Sequence, residues 1–213
     1  MNEKVSVTWL GHACFKLTYK GWSLIVDPYA DGSVDGLPPL REAADAVYCS
    51  HGHADHSGRD VITVSGADAP ADFSVVTAEC PHDDVGGTRR GMNTIHIFTF
   101  GSLRVVHTGD VGCALPEETL ALLRGCALLL IPVGGFFTIG PKEAFDLAME
   151  IGPRAVAPMH YRSDSQGFGY KVIGEVEDFL SLFPAERVTR LIGPAFSLTD
   201  TLPTGVAVPH LDI

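Results

Sequence analysis

The first half of the chain alternates short apolar runs with turns rich in glycine, proline and aspartate, a pattern typical of β-strands. Lys20-Gly21-Trp22 and Gly101-Ser102 have the composition of tight turns, so we expect each to connect two strands. Asp27-Pro28 ends the first group of strands, and a loop follows to about Pro39. The runs that predict strands are residues 5–9, 14–19, 24–26, 46–49, 73–77, 94–100 and 103–107.

The second half mixes helical and strand patterns. Helices are predicted at 116–124 and from Pro141 to the stop at Gly152-Pro153. Apolar residues at helical spacing over 172–183 predict a third helix that lays one face on a sheet. Continuous apolar runs at 128–133 and 155–158 predict strands, the first of them covered on both faces. Strands covered by helices indicate a layered α/β sandwich.

Length and composition bound the class of protein. The 213 residues suit one domain, or two fused halves that share a core, so we expect a single domain over residues 1–213. A net charge of −11 makes the chain a poor electrostatic partner for nucleic acid or an anionic membrane surface. Because the sequence shows neither a membrane-length apolar stretch nor a signal peptide, we expect a cytoplasmic protein. The composition is compatible with a homo-oligomer.

The candidate chemistry lies in the histidines, six of which fall between positions 51 and 107. His51-Gly52-His53-Ala54-Asp55-His56 follows an apolar strand directly. Four ligands this close cannot all reach one ion from a regular strand or helix. A sharp turn would direct His51 and His53 toward one ion, and Asp55 and His56 toward a second. Imidazole with carboxylate suits zinc, and also manganese or iron.

This motif resembles the signature of the metallo-β-lactamase superfamily, His-x-His-x-Asp-His after a strand. Within that superfamily the chain is similar to the small single-domain hydrolases related to L-ascorbate-6-phosphate lactonase. The supporting segments are Trp9-Leu10-Gly11-His12-Ala13-Cys14-Phe15, Asp27-Pro28, His107-Thr108-Gly109-Asp110, Pro132-Val133-Gly134-Gly135 and Pro158-Met159-His160-Tyr161. The resemblance implies a four-layer αββα sandwich made of two similar halves, with metals at the sheet edge between them.

The resemblance also implies two metal sites. The ligands that it assigns are His51, His53, Asp55, His56, His82, Asp110 and His160. His82 would complete the first site with the first two histidines, although His96 and His107 lie in the same interval and stay open as alternatives. His160 would complete the second site with Asp55 and His56. Asp110 would bridge both ions.

Such ligand sets imply a hydrolytic mechanism. Two ions about 3.5–4 Å apart can share a bridging water and lower its pKa toward neutrality, and the hydroxide then attacks a carbonyl or phosphoryl centre. Asp55 would orient that hydroxide and is a catalytic candidate. His107 is the second catalytic candidate, and His12 and Tyr161 are further candidates for the leaving-group acid. The implied function is metal-dependent hydrolysis of a small ester, lactone or phosphoester, anionic substrates included.

Other features leave alternatives open. Because no general acid is evident, a non-catalytic metal- and ligand-binding or sensing protein with the same fold is the second hypothesis. Arg89 and Arg90 are candidates to hold a substrate carboxylate or phosphate, or else are surface charge. Phe136, Phe137 and Phe168 are candidates for an apolar pocket wall. A nucleic-acid substrate is disfavoured, because this short acidic chain shows no cationic track.

Overall fold

The computed structural model describes residues 4–199 and 205–211. Strands up to residue 64 are β1 (Lys4–Gly11), β2 (Cys14–Tyr19), β3 (Trp22–Val26), β4 (Ala43–Ala44), β5 (Ala46–Tyr48) and β6 (Thr63–Val64). The later strands are β7 (Phe73–Pro81), β8 (Met92–Phe100), β9 (Leu103–His107), β10 (Leu128–Pro132), β11 (Ala155–Met159), β12 (Val188–Arg190), β13 (Ala195–Thr199) and β14 (Gly205–Val208). The helices are α1 (Glu117–Leu123), α2 (Pro141–Ile151) and α3 (Val176–Leu180).

The first sheet has five strands in the order β13-β1-β2-β3-β5. Antiparallel pairing runs from β13 through β3, and β5 then joins parallel to β3 with Val26 opposite Tyr48. Because β3 and β5 run in the same direction, their carboxyl ends lie at the same edge of the sheet. The loop that follows β5 therefore starts beside Asp27, whose N–H donates to the carbonyl of Tyr48 at 2.9 Å.

The second sheet has seven strands in the order β12-β14-β11-β10-β9-β8-β7. The strands from β9 to β12 in this order are mutually parallel, whereas β7 and β8 pair antiparallel. The carboxyl ends of β9, β10 and β11 consequently lie side by side, and loops there commonly carry ligand sites in α/β folds. Asp110 and His160 follow two of these ends.

The two sheets pack face to face around one apolar core. Every second residue of β1 is buried, as a strand with one face on a core requires. Ring centroids meet across the sheets, at 4.7 Å between Trp22 and Phe73 and at 5.6 Å between Tyr19 and Phe100. This packing fixes the edge where the loop after β5 begins relative to the edge where β9, β10 and β11 end.

Each helix comes directly after a strand of the second sheet in the chain: α1 follows β9, α2 follows β10 and α3 follows β11. α1 and α2 lie where their patterns predict, and α2 ends at Gly152, whose φ of +63° lets the chain turn away. α3 is shorter than the helix predicted over 172–183. The N–H of Gly174 donates to the carbonyl of Gly134 at 2.7 Å, and the N–H of Arg162 donates to Gly174 at 3.0 Å. These bonds hold the chain in a non-helical path until Val176.

The remaining differences from the sequence expectations lie in the first half and at the C-terminal end. Between β5 and β7 the structure has a 3₁₀ turn at Arg59–Val61 and a two-residue strand, so the helical cover of the described chain comes from α1–α3. The predicted strand at 73–77 continues to Pro81. The apolar pattern did not predict β12–β14, which are short or only partly buried. In the described part of the chain, the helices are too short or too polar to span a membrane.

Candidate metal centre

The histidine motif lies in a tight loop after β5, at the edge of the five-stranded sheet. The N–H of His56 and the hydroxyl of Ser57 both donate to the carbonyl of His53, each at 2.9 Å. These bonds close a turn in the middle of the motif. The turn separates the motif side chains into two groups that each include partners from elsewhere in the chain.

The first group consists of His51, His53 and His82, whose candidate ligand atoms all lie within 4.8 Å of one another. The His51 ring centroid lies 4.6 Å from that of His53 and 4.6 Å from that of His82. His82 comes from the other sheet, directly after β7. Among the described residues, His96 and His107 belong to none of the candidate ligand groups.

The second group consists of Asp55, His56 and His160, together with His12. His12 follows β1 and His160 follows β11, and both have left-handed backbones with φ of +52° and +53°. Such φ values are uncommon outside glycine, although histidine and aspartate adopt them more readily than most residues. The strained backbone turns both rings back into the edge between the sheets, where their centroids lie 4.0 Å apart.

Asp110 lies between the two groups and contacts both. Its Oδ2 is 3.3 Å from His82 Nε2 and 3.2 Å from His160 Nε2, and its Oδ1 is 3.3 Å from His56 Nε2. The carboxylate is almost completely buried. The structure thus brings the seven side chains assigned as ligands into one cluster at the edge shared by the two sheets.

Several buried polar atoms of the cluster have no hydrogen-bond partner among the described residues. Within residues 4–199 and 205–211, the atoms without a hydrogen-bond partner in suitable geometry include His51 Nε2, His56 Nε2, both ring nitrogens of His160, and Asp110 Oδ1. Leaving such atoms unpaired costs about 1–3 kcal/mol each. Their convergence, with imidazole and carboxylate donors only, fits divalent metal ions.

A second layer of hydrogen bonds fixes the motif from behind. Asp27 is fully buried at φ +50°, and its Oδ2 lies 2.7 Å from His56 Nδ1. The N–H and the hydroxyl of Ser50 both donate to Asp27 at 2.6 Å, and the Ser50 oxygen lies 2.9 Å from His51 Nδ1. A single carboxylate therefore orients two histidine rings with their Nε2 atoms toward the cluster, the arrangement that metal ligands usually have.

Asn93 and His107 fix the loop that carries Asp110. Asn93 Oδ1 accepts from the N–H of Asp110 at 2.8 Å, and its Nδ2 donates to the carbonyl of Thr108 at 2.9 Å. His107 Nδ1 accepts from the N–H of Gly109 at 3.1 Å, and Nε2 therefore donates to the carbonyl of Ala13 at 2.8 Å. With both nitrogens bonded to backbone and the ring fully buried, His107 does not reach the pocket that its catalytic assignment requires.

The electrostatics of the cluster favour bound cations. Burial and the neighbouring His56 lower the pKa of His51 to about 3, and burial lowers the pKa of His82, so both rings are neutral at pH 7, the form of histidine that binds metal ions. Burial opposes charge on His56 as well, but the carboxylates of Asp110 and Asp27 raise its pKa well above the usual value. Burial would likewise raise the pKa of Asp27, but the neighbouring imidazoles of His56 and His107, with the hydrogen bonds from His56 and Ser50, hold it at about 2.

A pocket of about 370 Å³ opens above the cluster. Its lining residues are His53, Asp55, His82, Arg90, Asp110, Phe137, His160 and Tyr170. Tyr170 was not singled out by the sequence; its hydroxyl lies 3.1 Å from Asp55 Oδ2 and donates to the carbonyl of Ser33 at 2.5 Å. The volume is at the small end of the range for ligand pockets, which suits a small molecule.

The three phenylalanines proposed as pocket walls have three different surroundings. Phe137 lines the pocket, 6.4 Å from the His160 ring, whereas Phe136 is 62% exposed beside it. Phe168 is buried in the core against Trp9. Tyr161, a candidate acid, is also buried there and stacks on Trp9 at 5.5 Å.

Comparison with known proteins places the fold and the family. A family model described as a β-lactamase superfamily domain matches residues 6–160. A metal-dependent hydrolase from Methanoregula boonei is 28% identical over 227 residues, covering 90% of this chain and 96% of that protein. Another, from Pyrobaculum neutrophilum, is 26% identical over 207 residues, covering 79% of this chain and 92% of that protein.

A solved structure has the same architecture over nearly its whole length. It is a candidate Zn-dependent hydrolase of the metallo-β-lactamase superfamily from Thermotoga maritima, with a TM-score of 0.73 and 27% identity. The superposition covers 98% of this chain and 100% of that one. The fold predicted from the histidine motif is therefore confirmed. The chain belongs to the β-lactamase superfamily and has the metallo-β-lactamase fold.

Proposed function

We propose that the chain is a metal-dependent hydrolase of a small ester, lactone or phosphoester that binds two divalent ions, with zinc favoured and manganese or iron compatible. One observation carries the proposal. Buried imidazole and carboxylate atoms from two different sheets converge on one pocket, and several of them have no hydrogen-bond partner among the described residues. The names of the Methanoregula and Pyrobaculum relatives support the same reaction type.

The ligand assignment follows the two groups of side chains. His51, His53 and His82 would hold one ion, and Asp55, His56 and His160 would hold the other, with Asp110 contacting both. When bound, the ions would lower the pKa of a coordinated water and stabilise negative charge on the substrate oxygen.

Asp55 is the carboxylate that we assign to orient the attacking water, by accepting a hydrogen bond from it. It lines the pocket, and its Oδ2 lies between Tyr170 Oη at 3.1 Å and His12 Nε2 at 3.3 Å. Burial and the nearby carboxylate of Asp110 would raise the pKa of Asp55, but His12 and His56 lower it by more, so Asp55 is ionised at pH 7. Because both nitrogens of His107 bond to backbone, we assign His107 to positioning the Asp110 loop.

The test is a hydrolysis screen on zinc-, manganese- and iron-reconstituted protein. Lactones, phosphodiesters and thioesters are offered to the wild type, to Asp55→Ala and to chelator-treated protein. We expect turnover that requires metal and falls at least 100-fold in Asp55→Ala. Metal binding without turnover in any class would favour the non-catalytic binding protein instead.

A further inference from the structure

Arg90 differs from the adjacent Arg89 in where its guanidinium lies. Arg90 lines the pocket above the cluster, where it donates from Nη2 to the carbonyl of Phe136 at 2.9 Å. Arg89 is exposed and lies 3.6 Å from the carboxylate of Asp84 on the surface. We propose that Arg90 binds an anionic group of the substrate, a carboxylate or a phosphate, and so makes the enzyme selective for acidic substrates. This inference rests on the proposed hydrolase function.

The loop that carries Arg90 is built around one buried carboxylate. Asp83 accepts four backbone N–H bonds, from Val85 and Gly87 on Oδ1 at 3.0 and 2.7 Å, and from Arg89 and Arg90 on Oδ2 at 2.9 and 2.8 Å. These bonds fix the backbone of Arg90 directly. Because Asp83 is the residue after His82, the same carboxylate ties the position of Arg90 to that of the cluster. Because its backbone is already ordered, Arg90 loses less conformational freedom when its guanidinium binds a ligand.

The guanidinium itself is held by the loop after β10. The Arg90 guanidinium carbon lies 5.5 Å from the centroid of the Phe137 ring, a cation–π contact. Phe136, whose carbonyl accepts from Arg90, has a φ of +62°, which is strained for a bulky side chain. Strain of this kind persists where surrounding contacts impose it, and it gathers at ligand sites. Here it aims the carbonyl at Arg90. The other side-chain N–H groups of Arg90 have no hydrogen bond to residues 4–199 or 205–211, which leaves them for a ligand.

The charges of the side chains that line the pocket make Arg90 the residue suited to bind an anionic group. Among the described residues that line the pocket, Arg90 is the one Lys or Arg side chain, and it stands with two carboxylates in a protein of net charge −11. A planar fork of donors matches the two oxygens of a carboxylate or phosphate. Phe137 separates Arg90 from His160, with its ring 6.4 Å from the imidazole. The anionic group should therefore lie about one aromatic ring from the reacting bond.

The test compares Arg90→Gln and Arg90→Lys with Arg89→Gln as the matched control. The zinc-loaded proteins are assayed on 4-nitrophenyl hemisuccinate and on neutral 4-nitrophenyl butyrate, which share a leaving group and a similar chain length. We expect Arg90→Gln to lower kcat/KM for the hemisuccinate about 10- to 100-fold and to change the butyrate value little. Arg90→Lys should fall between, because it keeps the charge but loses the fork. Arg89→Gln should match the wild type.

Equilibrium titration of the same zinc-loaded proteins with succinate and with inorganic phosphate separates the two anion classes. The anion that the site takes should bind about 10-fold or more weakly to Arg90→Gln than to Arg89→Gln. Equal binding of both anions by these two variants, with an unchanged ratio of the two ester activities, would overturn the role of Arg90. If the wild type shows no metal-dependent turnover, the proposed function fails, and the titration still decides whether Arg90 binds anions. Circular dichroism of each variant checks that the fold is retained.

Discussion

The two sheets supply the candidate metal centre in different ways. The five-stranded sheet contributes His51, His53, Asp55 and His56 from one loop. One buried carboxylate, Asp27, orients the His56 ring directly and the His51 ring through Ser50. The seven-stranded sheet contributes His82, Asp110 and His160 from three separate strand ends, which hold their places through the sheet and through Asn93. The first half of the metal centre, from the five-stranded sheet, is therefore fixed by a local turn and by one polar hub, Asp27. The second half, from the seven-stranded sheet, is fixed by the register of several strands.

The largest effect should come from the residue that joins the two halves. Replacing Asp110 with alanine removes the carboxylate that contacts His56, His82 and His160 together. Removing an outer partner of a ligand typically costs 10- to 100-fold, and loss of a ligand should cost more. We expect metal-dependent turnover to fall by more than about 100-fold. The control is Asp84→Ala on the surface, and equal activities of the two variants would show that Asp110 has no part in the site.

Breaking the hub of the first half should have a smaller effect. In Asp27→Asn the amide replaces a carboxylate that holds His56 Nδ1 and Ser50. We expect zinc affinity to fall by about 10- to 100-fold, measured by chelator competition. Asp31→Asn, which alters an exposed pair with Arg41, is the control and should leave the affinity as it is. An unchanged affinity in Asp27→Asn would mean that the turn alone orients the motif.

The corresponding change in the second half is Asn93→Ala. It leaves the N–H of Asp110 and the carbonyl of Thr108 buried without their partner. We expect the free energy of unfolding of the metal-free protein to fall by about 1–3 kcal/mol, measured by urea denaturation. Zinc affinity should fall with it, because the Asp110 loop loses its anchor. Wild-type stability would show that the strand register holds this loop unaided.

A smaller effect concerns His96, which the sequence left open as a ligand. It is buried on β8 and stacks on Phe98, and burial lowers its pKa to about 4. Between the unfolded pKa of about 6.5 and pH 4, the unfolded chain binds a proton that the folded chain excludes, so acid destabilises the fold. His96→Gln should reduce this loss by about 1 kcal/mol per pH unit.

Urea denaturation of the metal-free protein between pH 4 and pH 7 measures that slope. Zinc binding by His96→Gln should equal that of the wild type, whereas His82→Gln should bind zinc more weakly. A loss of zinc in His96→Gln with none in His82→Gln would reverse the assignment.

The contrast between the halves explains what the sequence could predict. Four potential ligands in six residues are visible as a local pattern, and their resemblance to a known family signature, with the supporting segments, implied the fold. His82, Asp110 and His160 lie far apart in the chain, so only the resemblance to a known family connected them. Polar partners such as Asn93 and Tyr170 carry no sequence signal, because their contacts depend on strand register and on a loop 115 residues from Asp55.

The fold was predicted incompletely for a similar reason. Long apolar runs and proline or glycine at helix ends predicted α1, α2 and most strands correctly. α3 is short because backbone bonds at Gly174 compete with the helical pattern. His107 was one of three candidates for the leaving-group acid, and the sequence does not reveal that backbone groups already bond to both of its ring nitrogens.

The central claim is that side chains from both sheets hold metal ions together. It is tested most directly by counting zinc per chain, by elemental analysis, in purified protein that has been reconstituted and desalted. We predict two zinc ions per wild-type chain and a lower count in Asp110→Ala. Fewer than one zinc ion per wild-type chain would contradict the account.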